Sequence, residues 1–178
     1  RLVEGSEVSG GLRAEIAQRF GMRAGLPVAG GAGDNAAAGI GAGAVSAGAG
    51  FVSLGTSGVL FAATEGYSPA PDTAVHTFCH ALPGRWHQMG VILSATDSLN
   101  WFAGLLGADP AGLTAGLGPL QPPGETLFLP YLGGERTPWN DARVRGAFLG
   151  LEHATDRAAA TRAVLEGAQA GGRPVWLA

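Results

Sequence analysis

The sequence contains no lysine. All 11 of its basic residues are arginine, set against 14 acidic residues for a formal net charge of −3. Without lysine there is no Gly-x-x-x-x-Gly-Lys phosphate loop. Without surplus positive charge there is no field to attract nucleic acid or anionic lipid, so neither is expected as a partner. Cysteine is nearly as scarce. Cys79 stands alone, which excludes an internal disulfide and removes any reason to invoke an oxidising compartment; the expected location is cytoplasmic. Charged residues make up only 14% of the chain, while Gly counts 31 and Ala 32. Disordered chains are typically highly charged and weakly apolar, so this balance points to a tightly packed domain. Long apolar runs are missing too. Asn35 to Thr64 is a stretch of 30 residues without formal charge, long enough to cross a bilayer. Its large apolar residues are diluted by Gly, Ser, Thr and Asn, so insertion is weakly driven and no membrane span is expected. The chain opens on Arg1 rather than Met with no leader-like apolar run, and it reads as a piece of something longer.

Apolar periodicity and turn residues predict the elements. Ser9 to Gly21 places Leu12, Ile16 and Phe20 on one stripe, predicting an amphipathic helix of about three turns stopped by Gly21. Gly25 to Asp34 reads as a short apolar strand running into glycines, and Asn35 to Gly43 as an Ala-rich helix. Phe51 to Ala63 predicts a hairpin around Gly55-Thr-Ser-Gly58, and Ala74 to Leu93 a second around Pro83-Gly84. Ser94 is the expected cap of a helix reaching Leu106, Asp109-Pro110 the start of a shorter one, and Thr155 the cap of a last helix from Asp156 to about Gly167. Strands are expected at 126–132 and 147–151. Helices alternating with strands argue a layered α/β architecture, with the change of character near residues 45–50 as the domain boundary.

Two local arrangements carry chemistry. In Gly55-Thr56-Ser57-Gly58, glycines let consecutive N–H groups point into one concavity and two hydroxyls add donors, so the turn suits phosphate oxygens; an ordinary hairpin turn is the competing reading. Asp34 follows Gly30-Gly-Ala-Gly33, where glycines leave room for a ligand and a carboxylate can take a proton from a bound hydroxyl. An Asp just before an Ala-rich helix is also a favoured N-cap, and on local sequence the cap is the stronger reading. His76, Cys79 and His80 make no metal set, because on a strand the two histidines lie about 13 Å apart and the cysteine faces away. No metal ligands are expected.

Taken in order, Gly30-Gly-Ala-Gly-Asp-Asn-Ala-Ala-Ala-Gly39, Ser53-Leu-Gly-Thr-Ser-Gly58, Leu129-Pro-Tyr-Leu-Gly-Gly-Glu-Arg-Thr-Pro138 and Arg145-Gly-Ala-Phe-Leu-Gly-Leu151 resemble the FGGY carbohydrate kinases, and most of all their bacterial xylulokinase branch. The resemblance implies a partial α/β chain of the ribonuclease H-like, actin-like ATPase fold. Residues 1–48 correspond to the end of the first domain and 49–178 to the opening of the second. It implies that Asp34 is the catalytic base touching the sugar hydroxyl, and that Gly55, Thr56, Ser57 and Gly58 form the phosphate turn. Thr96 and Asn100 resemble further nucleotide-contacting positions. ATP and Mg²⁺ are the implied cofactors and D-xylulose the implied substrate, with Asp34 beside an interdomain groove facing Gly55–Gly58. A non-catalytic nucleotide- or phosphate-binding module of the same architecture remains open. The chain departs from the family in three places. The Asp-x-Gly-Thr turn and the adenosine loop fall outside it, Trp139 stands where xylulokinases commonly have His, and 168–178 contain glycines and Pro174 where the family continues a helix. The chain alone is expected to be inactive, with an uncovered sheet edge and apolar face that favour self-association.

Overall fold

The computed structural model describes residues 2–170. Its elements in chain order are β1 (Val8–Gly11), α1 (Ala14–Arg19), β2 (Pro27–Ala29), α2 (Asp34–Gly41), β3 (Gly50–Leu54), β4 (Gly58–Thr64), β5 (His76–Cys79), β6 (Trp86–Ile92), α3 (Thr96–Leu105), α4 (Pro110–Ala115), β7 (Leu127–Leu129), β8 (Ala147–Leu149) and α5 (Arg157–Ala170). The largest sheet has the strand order β3-β4-β6-β5, and β1-β2 and β7-β8 form separate pairs. Both predicted hairpins are present. Among the described residues no helix is long and apolar enough to cross a membrane.

Several boundaries differ from the sequence expectation. The helix expected from Ser9 begins only at Ala14, and Val8–Gly11 instead forms β1, paired antiparallel with β2 through Val8↔Ala29, Gly10↔Val28 and Gly11↔Pro27. Gly10 and Gly11 are poor helix residues, and a partner strand satisfies their backbone. The strand expected over 126–132 is cut to Leu127–Leu129, where Pro130 ends the ladder. Asp156, not Thr155, serves the last helix, because Asp156 Oδ1 accepts from Ala159 N–H at 2.8 Å while Thr155 Oγ1 accepts from Glu152 N–H. That helix runs through Gly167 to Ala170. The helix break expected from Pro174 lies outside the described residues.

The chain divides into two compact units interleaved in sequence: Arg1–Phe51, Phe61–Pro69 and Thr77–Gln88 in the first; Val52–Leu60, Ala70–His76 and Met89–Ala178 in the second. The first centres on Phe61, fully buried and stacked against Phe51 at 4.8 Å and His87 at 4.5 Å between ring centroids. His80 meets the Phe61 ring edge-on. Leu82 N–H donates to His80 Nδ1, which leaves Nε2–H to donate to the Ala44 carbonyl at 3.0 Å. The second unit packs Phe102, Ala103, Leu113, Phe128, Ala163 and Val164 into one core. Burying this cluster between α3, α4, α5 and the β7-β8 pair is its main stabilisation, and Phe148 packs against it, tilted on Phe128 at 4.8 Å.

Candidate active site

Within the second unit, the turn between β3 and β4 sits over the start of α3. Gly55 N–H closes the turn on the Ser57 carbonyl at 2.9 Å. Three N–H groups at the head of α3 then take the turn's carbonyls: Ala95 N–H to Thr56 O at 2.8 Å, Thr96 N–H to Gly55 O at 3.0 Å and Asp97 N–H to Thr56 O at 3.4 Å. Thr96 Oγ1 also donates to Gly55 O, at 2.7 Å. The helix therefore needs no side-chain cap and has none. Ser94, the expected cap, is buried and its carbonyl accepts from Ser98 Oγ, while Ala95 holds the N-cap position.

This geometry decides which way the turn's donors face. In a trans peptide the C=O and the following N–H point in opposite directions. With the Gly55 and Thr56 carbonyls committed to α3, the N–H groups of Thr56 and Ser57 face away from it. Among the described residues neither N–H, and neither hydroxyl, meets a partner, and both residues are exposed. Gly58 is buried against β6, where a Cβ would stand 2.7 Å from Ile92 Cγ1, so only glycine lets the turn lie this close. Consecutive free N–H groups flanked by hydroxyls form an anion cradle, and the donor set fits phosphate oxygens. Asn100 lies one helical turn after Thr96 on the same face, exposed, with its amide unpartnered among the described residues. Thr96 works here chiefly as a buttress, its hydroxyl proton spent on Gly55.

Asp34 belongs to the first unit, as the first residue of α2, and it is exposed. The cap reading favoured by local sequence is overturned: Gly33 occupies the N-cap, and the helix makes no side-chain cap bond. Asp34 Oδ1 accepts from Asn35 N–H at 2.7 Å and lies 3.3 Å from Asn35 Nδ2, which leaves Oδ2 unpartnered among the described residues. The preceding glycines are not all room for a ligand. A Cβ on Gly30 would meet Glu4 O at 2.5 Å, and Gly30 and Gly31 N–H are tied to the Glu7 and Gly5 carbonyls. Much of the space that glycine opens is filled by the chain's own N-terminal backbone, which anchors the approach to Asp34.

One residue that sequence reasoning passed over is Glu135, quoted there only as part of a motif. It is 2% exposed. Its Oε1 accepts from Leu93 N–H at 3.0 Å and Arg136 N–H at 2.7 Å, while Oε2 is buried without a partner among the described residues. Burial pushes this carboxyl above the usual Glu range, opposed by the two backbone N–H bonds and the Arg136 charge. No local pattern marks it, since a Glu between Gly134 and Arg136 reads as an ordinary loop carboxylate. His76, Cys79 and His80 do not converge: His80 is committed to backbone partners, Cys79 is exposed, and no group of three or more acidic, His or Cys side chains clusters for a metal among the described residues. A recess lined by Ala108, Asp109, Gly112, Leu113 and Arg157 includes none of the expected site residues.

Residues 50–175 match the FGGY family of carbohydrate kinases, C-terminal domain. The chain belongs to the FGGY family of carbohydrate kinases. Xylulose kinases are among its relatives: that of Klebsiella pneumoniae is 51% identical over 168 residues, covering 93% of this chain and 35% of that protein. The xylulose kinase of Escherichia coli (strain K12) is 49% identical over 168 residues, with 93% and 34% covered. The crystal structure of a "xyloylose kinase" from Brucella ovis matches with a TM-score of 0.91 at 60% identity, over 94% of this chain and 35% of that one. The mixed α/β arrangement is thus a part of the FGGY kinase structure, with its actin-like ATPase fold. The chain spans about a third of the length of these relatives.

Proposed function

We propose that this chain is part of an ATP-dependent sugar kinase whose substrate is D-xylulose, phosphorylated at its terminal hydroxyl. The observation that carries the reading is the turn at Gly55–Gly58, whose Thr56 and Ser57 N–H groups and hydroxyls meet no partner among the described residues while the Gly55 and Thr56 carbonyls are held at the head of α3. Such a cradle is rigid before a ligand arrives, and phosphoryl transfer asks mainly for positioning and charge stabilisation. Gly55, Thr56, Ser57 and Gly58 would hold the phosphates of ATP, with Asn100 on the adjoining helix as a further nucleotide contact and Thr96 bracing the turn through the Gly55 carbonyl. Mg²⁺ would accompany the nucleotide to offset phosphate charge, and no residue of this chain is assigned to it. Asp34 takes the proton from the attacking sugar hydroxyl as its oxygen bonds to the γ-phosphorus and ADP departs. In this reading residues 1–48 end the first domain and 49–178 open the second. The relatives' names support the sugar.

The rival, a non-catalytic phosphate-binding module whose Asp34 only caps a helix, loses its local support because Gly33 is the cap and Asp34 Oδ2 has no partner among the described residues. Two substitutions in the longest protein that the gene encodes test the reading. Asp34→Asn keeps the shape but loses the proton acceptor, and it should lower kcat by ~10²–10⁴ with ATP affinity nearly unchanged. Thr56→Val should weaken ATP binding instead, by removing a hydroxyl donor. The opposite pattern in steady-state kinetics and ATP titration would show the two roles exchanged, and no effect from either would sink the proposal.

A further inference from the structure

β6 ends at Ile92, and three residues, Leu93, Ser94 and Ala95, lead into α3 at Thr96. The carbonyls of the Gly55–Gly58 turn hang on the head of that helix, so whatever fixes these residues fixes the cradle. Glu135 Oε1 takes Leu93 N–H at 3.0 Å from 42 positions along the chain. The carboxylate reaches from an anchored place, because Thr137 pairs with the same strand: its N–H donates to the Val91 carbonyl at 3.0 Å, and its Oγ1 accepts from Val91 N–H at 3.0 Å. Thr137 Oγ1 also donates to the Ala74 carbonyl at 3.2 Å.

A buried carboxylate is costly, more so with one oxygen unpaired among the described residues. If this position only had to be filled, an apolar side chain of similar volume would do so at equal or better stability. What the carboxylate supplies and an apolar residue cannot is an acceptor for Leu93 and Arg136 together. We propose that Glu135 is a positioning residue of the phosphate cradle: by holding Leu93 N–H it sets where α3 begins, and with it the direction in which Thr56 and Ser57 present their N–H groups. The inference rests on the phosphate-binding reading of Gly55–Gly58 above.

The test uses the longest protein that the gene encodes, with ATP titrated calorimetrically and sugar-dependent ADP release followed in parallel. Glu135→Met removes both accepted bonds at nearly constant volume and should raise the Kd and KM for ATP roughly tenfold. The KM for D-xylulose should stay within about twofold. Glu135→Gln keeps an oxygen for Leu93 N–H and should restore ATP affinity to within about threefold of the parent. Parent-like ATP binding by Glu135→Met overturns the proposal. So does Glu135→Gln binding as weakly as Glu135→Met, or a loss of kcat in both at unchanged ATP affinity, which would place the carboxylate in turnover itself. Should Glu135→Met not fold, Glu135→Asp replaces it: the shortened side chain withdraws from Leu93, ATP affinity should fall several-fold, and unchanged affinity overturns the proposal. A parent protein that binds ATP but phosphorylates no sugar removes the kinase reading while the ATP titrations still decide the role of Glu135. One that binds no ATP removes the cradle and this inference with it.

Discussion

His87 is 3% exposed and stacked on Phe61, with Nδ1 unpaired among the described residues and the His80 ring 6.0 Å away. Burial, and then the neighbouring His80, hold its pKa below the ordinary histidine value of 6.5. The folded protein thus resists a proton that the unfolded chain accepts readily. Below pH 6.5 the unfolded state binds more protons, so this contribution to stability is complete above that value. It is lost as pH falls through 6.5 toward the depressed folded pKa. Urea midpoints at about pH 7.5 and 5.5 should fall with acidity in the parent and fall less in His87→Phe, which keeps the stack without the titrating ring. Equal slopes would mean that protonation of His87 is not resisted. Glu135 has the opposite sign: its raised carboxyl pKa makes the folded state the better proton binder, so it weakens stability as pH rises past 4.5. The two effects oppose each other in mild acid, and the His87 comparison isolates one.

At the scale of elements, α4 shows a local rule at work. Asp109 is its N-cap, with Oδ1 accepting from Gly112 N–H at 2.9 Å, and Pro110 occupies the first turn, where its missing N–H costs nothing. Asp109→Ala should cost about 1 kcal/mol in urea unfolding, and Asp109→Asn much less, because Asn caps as well as Asp. If the two substitutions cost the same, capping is not what Asp109 contributes. The same rule misled at α2 and α3. Asp34 and Ser94 both have cap chemistry at cap-like positions, yet Gly33 and Ala95 take those places. At α3 the reason is visible: two carbonyls from the β3-β4 turn already satisfy the helix head, leaving nothing for a serine to do. A cap preference describes a helix end that has no other partner, and sequence does not say which ends those are.

For the whole molecule, the decisive fact is that the chain spans about a third of its relatives. A kinase must hold donor phosphates, nucleoside and acceptor sugar together, and that proximity is worth ~7–11 kcal/mol of barrier only when every partner is positioned. Tested by itself, the 178-residue chain is expected to release no ADP in response to D-xylulose. Val52, Leu54, Leu60, Leu105 and Leu151 are each exposed, and the chain tested alone is expected to self-associate. A coupled ADP-release assay beside size-exclusion chromatography checks both. Sugar-dependent turnover from a clean monomer would overturn the assignment of roles to Asp34 and the cradle as parts of a larger site.

The family is legible in four motifs in order, and both hairpins and the Asp109 cap are legible in local residue choice. Each depends on residues within a few positions of one another, where backbone preference and side-chain reach are local rules. The sequence also marked Gly55–Gly58 as a turn that combines glycine freedom with hydroxyls. Which way that turn presents its donors depends on packing, because the Gly55 carbonyl is held by Thr96, 41 positions away, and the Thr56 carbonyl by Ala95 and Asp97. The burial of Glu135 was decided likewise, by a bond to Leu93 spanning 42 positions. A hydrogen bond at that separation has no periodicity to read, since its partner exists only once the sheet and α3 have packed. Space behaves in the same way. The glycine at position 30 reads as a vacancy in the sequence, and in the fold it is occupied by the backbone of Glu4.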